Sequence, residues 1–531
     1  MPSLASSALL FLASAAAIAA RAIIADASLI PAVDTASNPA NCTLSDGPCK
    51  DIDHCRTLAA IVQSCIVTIL ACVWFAVHRN IPAPRVDHPH ANFFIRTGLF
   101  VWYKILDQRQ ALTVFVVTLL VPEWVLAWAL RQFLRARKLA KELEEAREEA
   151  KEEARQRLQA EQTKGQEPEK GAGESADDRA DDEMLAESTS MSIHSEHERL
   201  IKRQPTSPDG VDSSQHASMD DERKAVYDPV EAAQCVAKAD EAWKIVHAFF
   251  IIMGGYYFYS KKGPGRPLSP EDVVELVRRG HLVAPTTEEL ANQSKGDALS
   301  KGVAILQTLW FVMQCIARRI EHLPVTSLEV MTLAYTVITV AMYLVWWDKP
   351  LNISCAVRVP EEEVDEDEVD EDKSVWQRIF AYVMGMQDQC VDLRRCTRVP
   401  TFWAADREGD AIYADIIAIL VAMAFGAVHC IAWFDSSQSD LEQQLWRASA
   451  IAIITTPAAL VLAFGLMLLL SKVHLISEEF SLIGIGSIYV LVALIYAAAR
   501  LALIVVSFTS LRMLPVAAYQ TVQWTTFVPH I

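Results

Sequence analysis

Charged side chains within long apolar segments are the residues of this sequence with the clearest chemical potential. Glu123 lies in the apolar segment 111–130, and Arg500 lies in the second half of the segment 482–508. Ionisable groups are costly in a bilayer and mark partners or function there. We therefore expect Arg500 either to extend to the membrane interface or to pair with Glu123 or Asp415 inside a helical bundle.

Two glutamines share one face of another apolar segment. Gln307 and Gln314 are seven residues apart within 302–317, so a helix places them on the same side. Either this face lines a polar cavity, or it forms hydrogen bonds with a neighbouring helix, as polar side chains of membrane helices commonly do.

His247 and His429 are the histidines of the apolar segments. Cys315 and Cys430 offer further soft donor atoms, but the spacing of these residues differs from that of closed zinc motifs. We therefore expect no metal site, and we interpret His429 as a hydrogen-bond partner of a neighbouring helix. The candidate ligand or pathway residues are Glu123, His247, Gln307, Gln314, His429 and Arg500.

Motifs of soluble enzymes do not occur. The sequence has no P-loop, no G-x-S-x-G elbow, no H-E-x-x-H motif and no dinucleotide fingerprint. We predict no catalytic residue and no cofactor, and an enzyme is the less favoured interpretation. The acidic run 361–372 lacks the glycine and spaced ligands of an EF-hand loop. A single GPGRP at 263–267 does not indicate nucleic-acid binding.

Long apolar segments must position the candidate residues. The chain has 531 residues, 52% of them hydrophobic, and a net charge of −18 that comes mainly from residues between these segments. A helix needs about 20 apolar residues to cross a bilayer, and it satisfies its own backbone there. The sequence predicts an all-α, polytopic transmembrane helical bundle of seven or eight spans drawn from 58–77, 111–130, 243–260, 302–317, 328–347, 412–434, 447–470 and 482–508.

The N-terminal region is typical of a protein that enters the secretory pathway. Residues 1–22 are predicted to be a signal peptide or an uncleaved anchor. Residues 23–57 would then be lumenal or extracellular, and Asn41 begins a glycosylation sequon there. An oxidising compartment allows a disulfide, and the sequence does not select a pair among Cys42, Cys49 and Cys55.

Composition divides the following residues into three parts. Residues 58–130 form a first transmembrane block, and residues 131–160 form a charged helix. That helix lacks a sustained apolar seam, which favours a solvated single helix over a coiled coil. Residues 161–240 are acidic and poor in large apolar side chains, which predicts a disordered linker. We expect protein partners to bind through 131–240.

The remaining blocks are two membrane regions around an acidic loop. Residues 241–347 form a second transmembrane block, and two capping boxes in it predict short helices within 270–294. Residues 348–411 form an acidic loop that holds a second sequon at Asn352. Residues 412–531 form the C-terminal transmembrane block.

Basic residues predict the membrane orientation. Arg318 and Arg319 place their turn in the cytosol by the positive-inside rule, so the loop 348–411 lies outside. The N-terminal cysteines also lie outside, and an even number of crossings must separate the two regions. One of the two weakest segments, 111–130 or 243–260, then fails to cross. This gives seven spans and a cytosolic C-terminus, with eight spans as the alternative.

Several sequence strings together resemble a large family of fungal multi-pass membrane proteins with no assigned biochemical function. The strings are SCIVTILACVWFAVHRNIP at 64–82, VPEWVLAWALRQ at 121–132, HAFFIIMGG at 247–255, SKGDALSK at 294–301, LQTLWFVMQCIAR at 306–318, WWDKPL at 346–351 and HCIAW at 429–433. The resemblance implies a fungal source and a helical membrane fold. It implies no reaction, and the charged region 131–240 then corresponds to a variable insertion.

Three functions are compatible with these patterns. The first is a membrane-embedded scaffold or regulatory protein that recruits partners. The second is a transporter or channel, which is expected to show interrupted helices and midplane polar residues. The third is an integral-membrane enzyme. A continuous polar path along Gln307, Gln314 and Arg500 favours transport, whereas a dry and tightly packed bundle favours a scaffold.

Overall fold

The protein is described by a computed structural model in which the described residues are mostly helical. They comprise 55–84, 93–164, 236, 241–260, 263–294, 298–353, 355–360, 381, 387–389, 391–405, 412–434, 439–472 and 478–523. The signal or anchor at 1–22, the acidic run 361–372 and most of the linker 161–240 lie outside these ranges.

The helices vary in length from about two to about twelve turns. They are α1 Leu58–Ala76, α2 Phe93–Leu120, α3 Pro122–Lys164, α4 Ile245–Ile252, α5 Pro270–Arg278, α6 Thr287–Gln293, α7 Ala298–Ile320, α8 Ser327–Val345, α9 Ile412–Val428, α10 Asp440–Lys472 and α11 Glu478–Thr509. The strands are β1 Tyr256–Ser260, β2 Gly263–Pro267 and β3 Val357–Pro360.

The chain divides into two compact units. One comprises Met1–Arg147 and Asp240–Ile531, and the other comprises Glu148–Ala239. In the second unit, Ala150 and Ala154 of α3 are buried together with Val236. The first unit contains the apolar helices and the candidate functional residues.

Five described helices are long and apolar enough to cross a membrane. Their apolar parts are Lys301–Ile320, Ser327–Val345, Tyr413–Ala432, Asp440–Ala463 and Ser487–Met513. Leu58–Trp74 in α1 is a shorter apolar helix. Large apolar side chains on these helices remain exposed, for example Leu306 at 68% and Leu462 at 73%. Such outward-facing apolar surface indicates a membrane-embedded protein.

The predicted span 243–260 is wrong. Its helix α4 has eight residues and ends before Gly254, which adopts φ +87°. A Cβ at Gly254 would lie 2.6 Å from Val399 Cγ2, so only glycine fits. The chain then continues as β1, which pairs antiparallel with β2 and parallel with β3. The mostly helical fold therefore contains a small sheet that the all-α prediction lacked.

The segment 111–130 is not a straight span either. The helical parts Arg109–Leu120 and Pro122–Glu161 meet at a bend of 111°. Gln110 of the first arm donates a hydrogen bond to Thr401 Oγ1 at 3.1 Å, and Gln132 of the second arm donates to Trp403 O at 2.7 Å. Both arms thus reach one short segment, so α2 and the start of α3 form a V-shaped hairpin.

Contacts at the two ends of α8 define two ends of the helical bundle. At one end, here called the Arg56 end, Arg56 contacts Glu329 and also donates to Ala518 O at 2.8 Å. At the other, here called the sheet end, Lys349 contacts the carbonyl oxygen of His78. The sheet lies here too, because Ile81 N donates to Met253 O at 2.9 Å, just before β1.

Candidate functional site

Arg500 is completely buried and lies at the tip of the V-shaped hairpin. Its Nη2 donates to the Tyr335 hydroxyl at 2.6 Å and to Leu119 O at 3.3 Å, and its Nε donates to Leu120 O at 3.4 Å. The last carbonyls of a helix have no partners within the helix. Arg500 therefore satisfies the end of α2 where the chain turns within the bundle.

The hairpin tip also positions Glu123. Pro122 begins α3 at the position where a missing N–H has no cost, and Glu123 occupies the first turn, where the helix dipole stabilises a carboxylate. The Tyr496 hydroxyl of α11 donates to Glu123 Oε1. Tyr335 of α8 donates to Leu119 O. Two tyrosines thus connect the tip to two separate helices.

Aromatic rings surround the guanidinium group. Arg500 Cζ lies 4.4 Å from the ring centroid of Phe425 and 5.1 Å from that of Tyr335. The Phe425 ring in turn lies 5.0 Å from the His429 ring. Rings that face a desolvated cation stabilise it through their quadrupoles. We call the set Glu123, Tyr335, Phe425, His429, Tyr496 and Arg500 the Arg500 cluster.

His429 is held from both sides. Its Nδ1 lies 3.0 Å from Phe425 O, and Trp446 Nε1 of α10 donates to His429 O at 2.9 Å. The close approach of α9 and α10 here requires Gly426, since a Cβ there would lie 2.7 Å from Ile454 Cγ1. His429 therefore contacts α10 through its backbone oxygen and through its ring, which lies 5.9 Å from the Trp446 ring as well as facing Phe425.

Three of the six candidate residues, Glu123, His429 and Arg500, thus come together in one cluster. Arg500 and Glu123 interact electrostatically, and Tyr335 and Tyr496 are their direct partners. The alternative partner Asp415 is instead bound by Arg131, with Nη2 to Oδ1 at 2.7 Å. The Asp415 alternative is therefore wrong.

The other three candidates lie elsewhere. Gln307 donates to Thr68 Oγ1 of α1 at 3.1 Å, which is the interhelical bond expected as one alternative, and Gln314 is half-buried. His247 caps α4, because its Nδ1 accepts from Lys244 N at 2.9 Å. Burial lowers the pKa of His247. Gln307 bonds to α1, whereas Arg500 contacts the hairpin tip, α8 and α9, so the two do not line one polar path.

A second buried cation, Lys349, was missed by the sequence reasoning. Its Nζ contacts His78 O and lies 2.7 Å from Gln132 Oε1. It also lies 4.8 Å from the Trp128 ring and 4.5 Å from the Trp346 ring. We call these five residues the Lys349 network. It connects the chain after α1 and the chain after α8 to the second arm of the hairpin.

Further hydrogen bonds extend this network to the segment 401–403. Gln132 Nε2 donates to Trp403 O, and Trp128 Nε1 donates to the same oxygen at 2.9 Å. Asn80 Nδ2 donates to Pro400 O at 2.8 Å. The only signal for this site in the sequence was that its residues belong to the strings at 64–82, 121–132 and 346–351.

The protonation of the network is dominated by burial. Lys349 is 1% exposed, and removal from water drives its pKa well below the usual value. Burial and the nearby charges of Lys301 and Lys349 likewise keep the pKa of His78 well below its usual value. Burial therefore favours the neutral form of the His78 ring and weakens the hold of Lys349 on its proton.

A family model described as "Family of unknown function (DUF8562)" matches residues 214–413 and 409–531, more than half of the chain. The chain belongs to this family. No curated protein and no solved structure matches it. In this DUF8562 chain Lys349 and Arg500 lie within the matched residues, whereas Glu123 and Gln132 precede them. The family carries no assigned reaction, and the fungal source stays a prediction.

The modification candidates of the DUF8562 chain are partly described. Cys55 is disulfide-bonded, whereas Asn41, Cys42 and Cys49 lie outside the described residues, so the choice of pair stays a prediction. Asn352 is exposed and adopts φ +55°. Within the part of the chain that the structure describes, no three His, Cys, Asp or Glu side chains form a group that could hold a metal ion.

Proposed function

We propose that the protein is a membrane-embedded scaffold or regulatory protein. The observation that carries this proposal is the enclosure of Arg500, which has no exposed surface and contacts aromatic rings and backbone carbonyls. Gln307 is engaged with α1 rather than facing the same space. A dry and tightly packed bundle is the property expected of a scaffold rather than of a transporter.

The helix α3 supports a role in recruitment. It runs from the hairpin tip at Pro122 to Lys164 without interruption, and its later part is rich in Glu, Lys and Arg. A helix that begins inside the bundle and continues into the charged region 131–240 suits the display of a partner-binding segment. The partners would be proteins, bound through residues 131–240.

A six-span arrangement is the membrane topology that we propose. The spans would be α1, α7, α8, α9, α10 and α11, and the V-shaped hairpin would enter and leave on the sheet end. Its non-helical turn would be tolerated because Arg500 and Tyr335 satisfy the turn carbonyls. This differs from the seven or eight spans expected from hydropathy, because 243–260 folds outside the bundle and 111–130 bends back.

The two ends of α8 would then lie on opposite sides of the membrane. The helix has 19 residues, about 28 Å at 1.5 Å per residue, which matches the hydrocarbon thickness. Arg56 contacts its start and Lys349 follows its end. In this arrangement Cys55 and Asn352 would lie in different compartments, in contrast to the arrangement predicted from the sequence.

The Arg56 end would be lumenal or extracellular and the sheet end cytosolic. Cys55 is disulfide-bonded, as an oxidising compartment allows, whereas Cys355 at the sheet end is a free cysteine. Arg318, which had suggested a cytosolic turn, is buried and donates to Pro324 O, Ala518 O and Gln520 O. Several basic residues follow the hairpin tip along α3, namely Arg131, Arg135, Arg137, Lys138 and Lys141. The positive-inside rule assigns such a group of basic residues to the cytosolic side.

Deletion of residues 148–239 tests the scaffold function. The full-length protein and the deletion variant would be tagged identically, expressed in the native host and compared by proximity labelling. We expect the variant to remain in membranes with an unchanged melting temperature and to lose a defined set of labelled proteins. An unchanged set of labelled proteins would contradict recruitment through this region.

A transporter is the second candidate, because the V-shaped hairpin places Glu123 and a helix break within the bundle. Cysteine accessibility distinguishes the two functions. In native membranes a water-soluble maleimide should leave Gln307→Cys and Gln314→Cys unlabelled if the bundle is dry. Tyr519→Cys, next to the Arg56 end, is the positive control. Labelling at both glutamine positions would favour transport over the scaffold.

A further inference from the structure

Three polar atoms of the Arg500 cluster have no hydrogen-bond partner among the described residues. They are Glu123 Oε2, Arg500 Nη1 and His429 Nε2. Glu123 is 8% exposed, and the other two residues are 0% exposed. Buried polar atoms in folded proteins are nearly always hydrogen-bonded to protein or to water. Three unpartnered atoms in one cluster therefore point to a bound ligand.

The chemistry of these atoms defines what the ligand must offer. The carbonyl oxygen of Phe425 can only accept, so His429 Nδ1, 3.0 Å away, carries the hydrogen. His429 Nε2 then has a free lone pair. Glu123 Oε2 is a second acceptor, and Arg500 Nη1 is a donor only. The ligand must therefore donate two hydrogen bonds and accept one.

Charge and space exclude larger or charged ligands. Arg500 interacts electrostatically with both Glu123 and His429. A metal cation would be repelled by the guanidinium group, and an anion would be repelled by the carboxylate. The rings of Tyr335, Phe425 and Tyr496 are each less than one-tenth exposed, so they shield the cluster from molecules larger than water.

We propose that the Arg500 cluster is an internal water-binding site. One water accepts from Arg500 Nη1 and donates to Glu123 Oε2 and His429 Nε2, which satisfies all three atoms with the number of partners typical of buried water. The water connects the tip of the V-shaped hairpin to the end of α9 and to α11. This site is independent of partner recruitment, so its test does not depend on the scaffold function.

Cryo-electron microscopy of the full-length protein in lipid nanodiscs, at a resolution that shows ordered water, tests the site directly. We expect a solvent peak within hydrogen-bond distance of Glu123 Oε2, Arg500 Nη1 and His429 Nε2. A direct carboxylate–guanidinium contact through these atoms, or three atoms without intervening density, would overturn the proposal.

A double-mutant cycle gives a second readout in solution. Glu123→Leu and His429→Phe each remove one water contact, so their combined loss of melting temperature should be smaller than the sum of the single losses. The control cycle pairs Glu123→Leu with Gln307→Leu, which breaks the bond to Thr68 outside the Arg500 cluster, and should be additive. Additive losses of melting temperature in both cycles would contradict a shared water. If a variant does not fold, the cryo-electron microscopy map of the wild type provides the test.

Discussion

Two buried basic side chains, Arg500 and Lys349, hold the same hairpin by different physical means. Arg500 binds its tip, at the carbonyls of Leu119 and Leu120, and Lys349 binds its second arm through Gln132. Arg500 has a carboxylate in its cluster, whereas the direct partners of Lys349 are an amide, a carbonyl and two indole rings. A guanidinium group keeps its proton, and a buried ammonium group can release one. The contact of Arg500 with the hairpin tip should therefore not vary with pH. The contact of Lys349 with the second arm should vary with pH.

The largest expected effect is the loss of the tip cation. Arg500→Leu leaves the α2 carbonyls and the Glu123 carboxylate without their cationic partner, and we expect destabilisation of about 3–5 kcal/mol with reduced folded yield. Detergent-solubilised unfolding measured by intrinsic fluorescence gives the value. Arg512→Ala, at an exposed arginine in the same region of the chain, should change stability little. Equal effects of both changes would show that Arg500 is not a specific partner of the tip.

Replacement of the arm cation should change the pH dependence of stability. The folded-state pKa of Lys349 lies well below that of the unfolded chain, so the unfolded state binds more protons between the two values. The contribution of this group is full above about pH 10.4 and declines as pH falls towards the folded pKa. Wild type should therefore gain stability from pH 7 to 10 relative to Lys349→Met. A parallel pH profile for both proteins would contradict a depressed pKa.

A smaller effect is expected at the tyrosine that binds the tip carboxylate. Tyr496→Phe removes one hydrogen bond to Glu123 without a change of shape, and we expect a loss of about 1 kcal/mol. In the Glu123→Gln background the same change should cost less, because the charge-assisted part of the bond is already absent. Thermal unfolding of the four proteins measures the difference. Identical losses in both backgrounds would exclude the bond.

The smallest expected effect lies outside the hairpin. Gln307→Leu breaks the interhelical bond to Thr68 and should cost about 0.6 kcal/mol, the mean for such bonds in membrane proteins. Thermal unfolding measures this loss. Gln314→Leu, which changes a half-buried glutamine of the same helix, is the control variant. A loss as large as that of Arg500→Leu would mean that the α1–α7 contact, rather than the hairpin, dominates the fold.

Local signals in the sequence predicted local structure well. The capping boxes at Ser269 and Thr286 form as expected, with Ser269 Oγ accepting from Asp272 N at 3.1 Å. Continuous apolar character predicted the helices α7 to α11 because a membrane helix satisfies its own backbone. The cost of charge in lipid suggested Glu123 as one of two possible partners of Arg500, and the sequence did not choose between it and Asp415.

Structure that depends on distant residues was not predictable from one sequence. β1 is the aromatic end of the segment 243–260 that was predicted as a span, and its strand state comes from pairing with β3, about one hundred residues later. Lys349 follows two tryptophans and resembles a solvated loop residue, and only the return of Gln132 and His78 buries it. The bend at Pro122 was a visible signal, but its direction depended on the contacts of Gln110 and Gln132 with 401–403.

Glycosylation mapping of the full-length protein in microsomal membranes tests the central claim, that the V-shaped hairpin does not cross and that the two ends of α8 face opposite compartments. One variant carries a sequon within 361–372, which follows β3 in the sequence, and the other is Asn41→Gln. We predict that the engineered sequon and Asn352 gain no sugar, and that Asn41→Gln removes a glycan present on the wild type. Sugar on the engineered sequon would contradict the account and restore the seven-span arrangement.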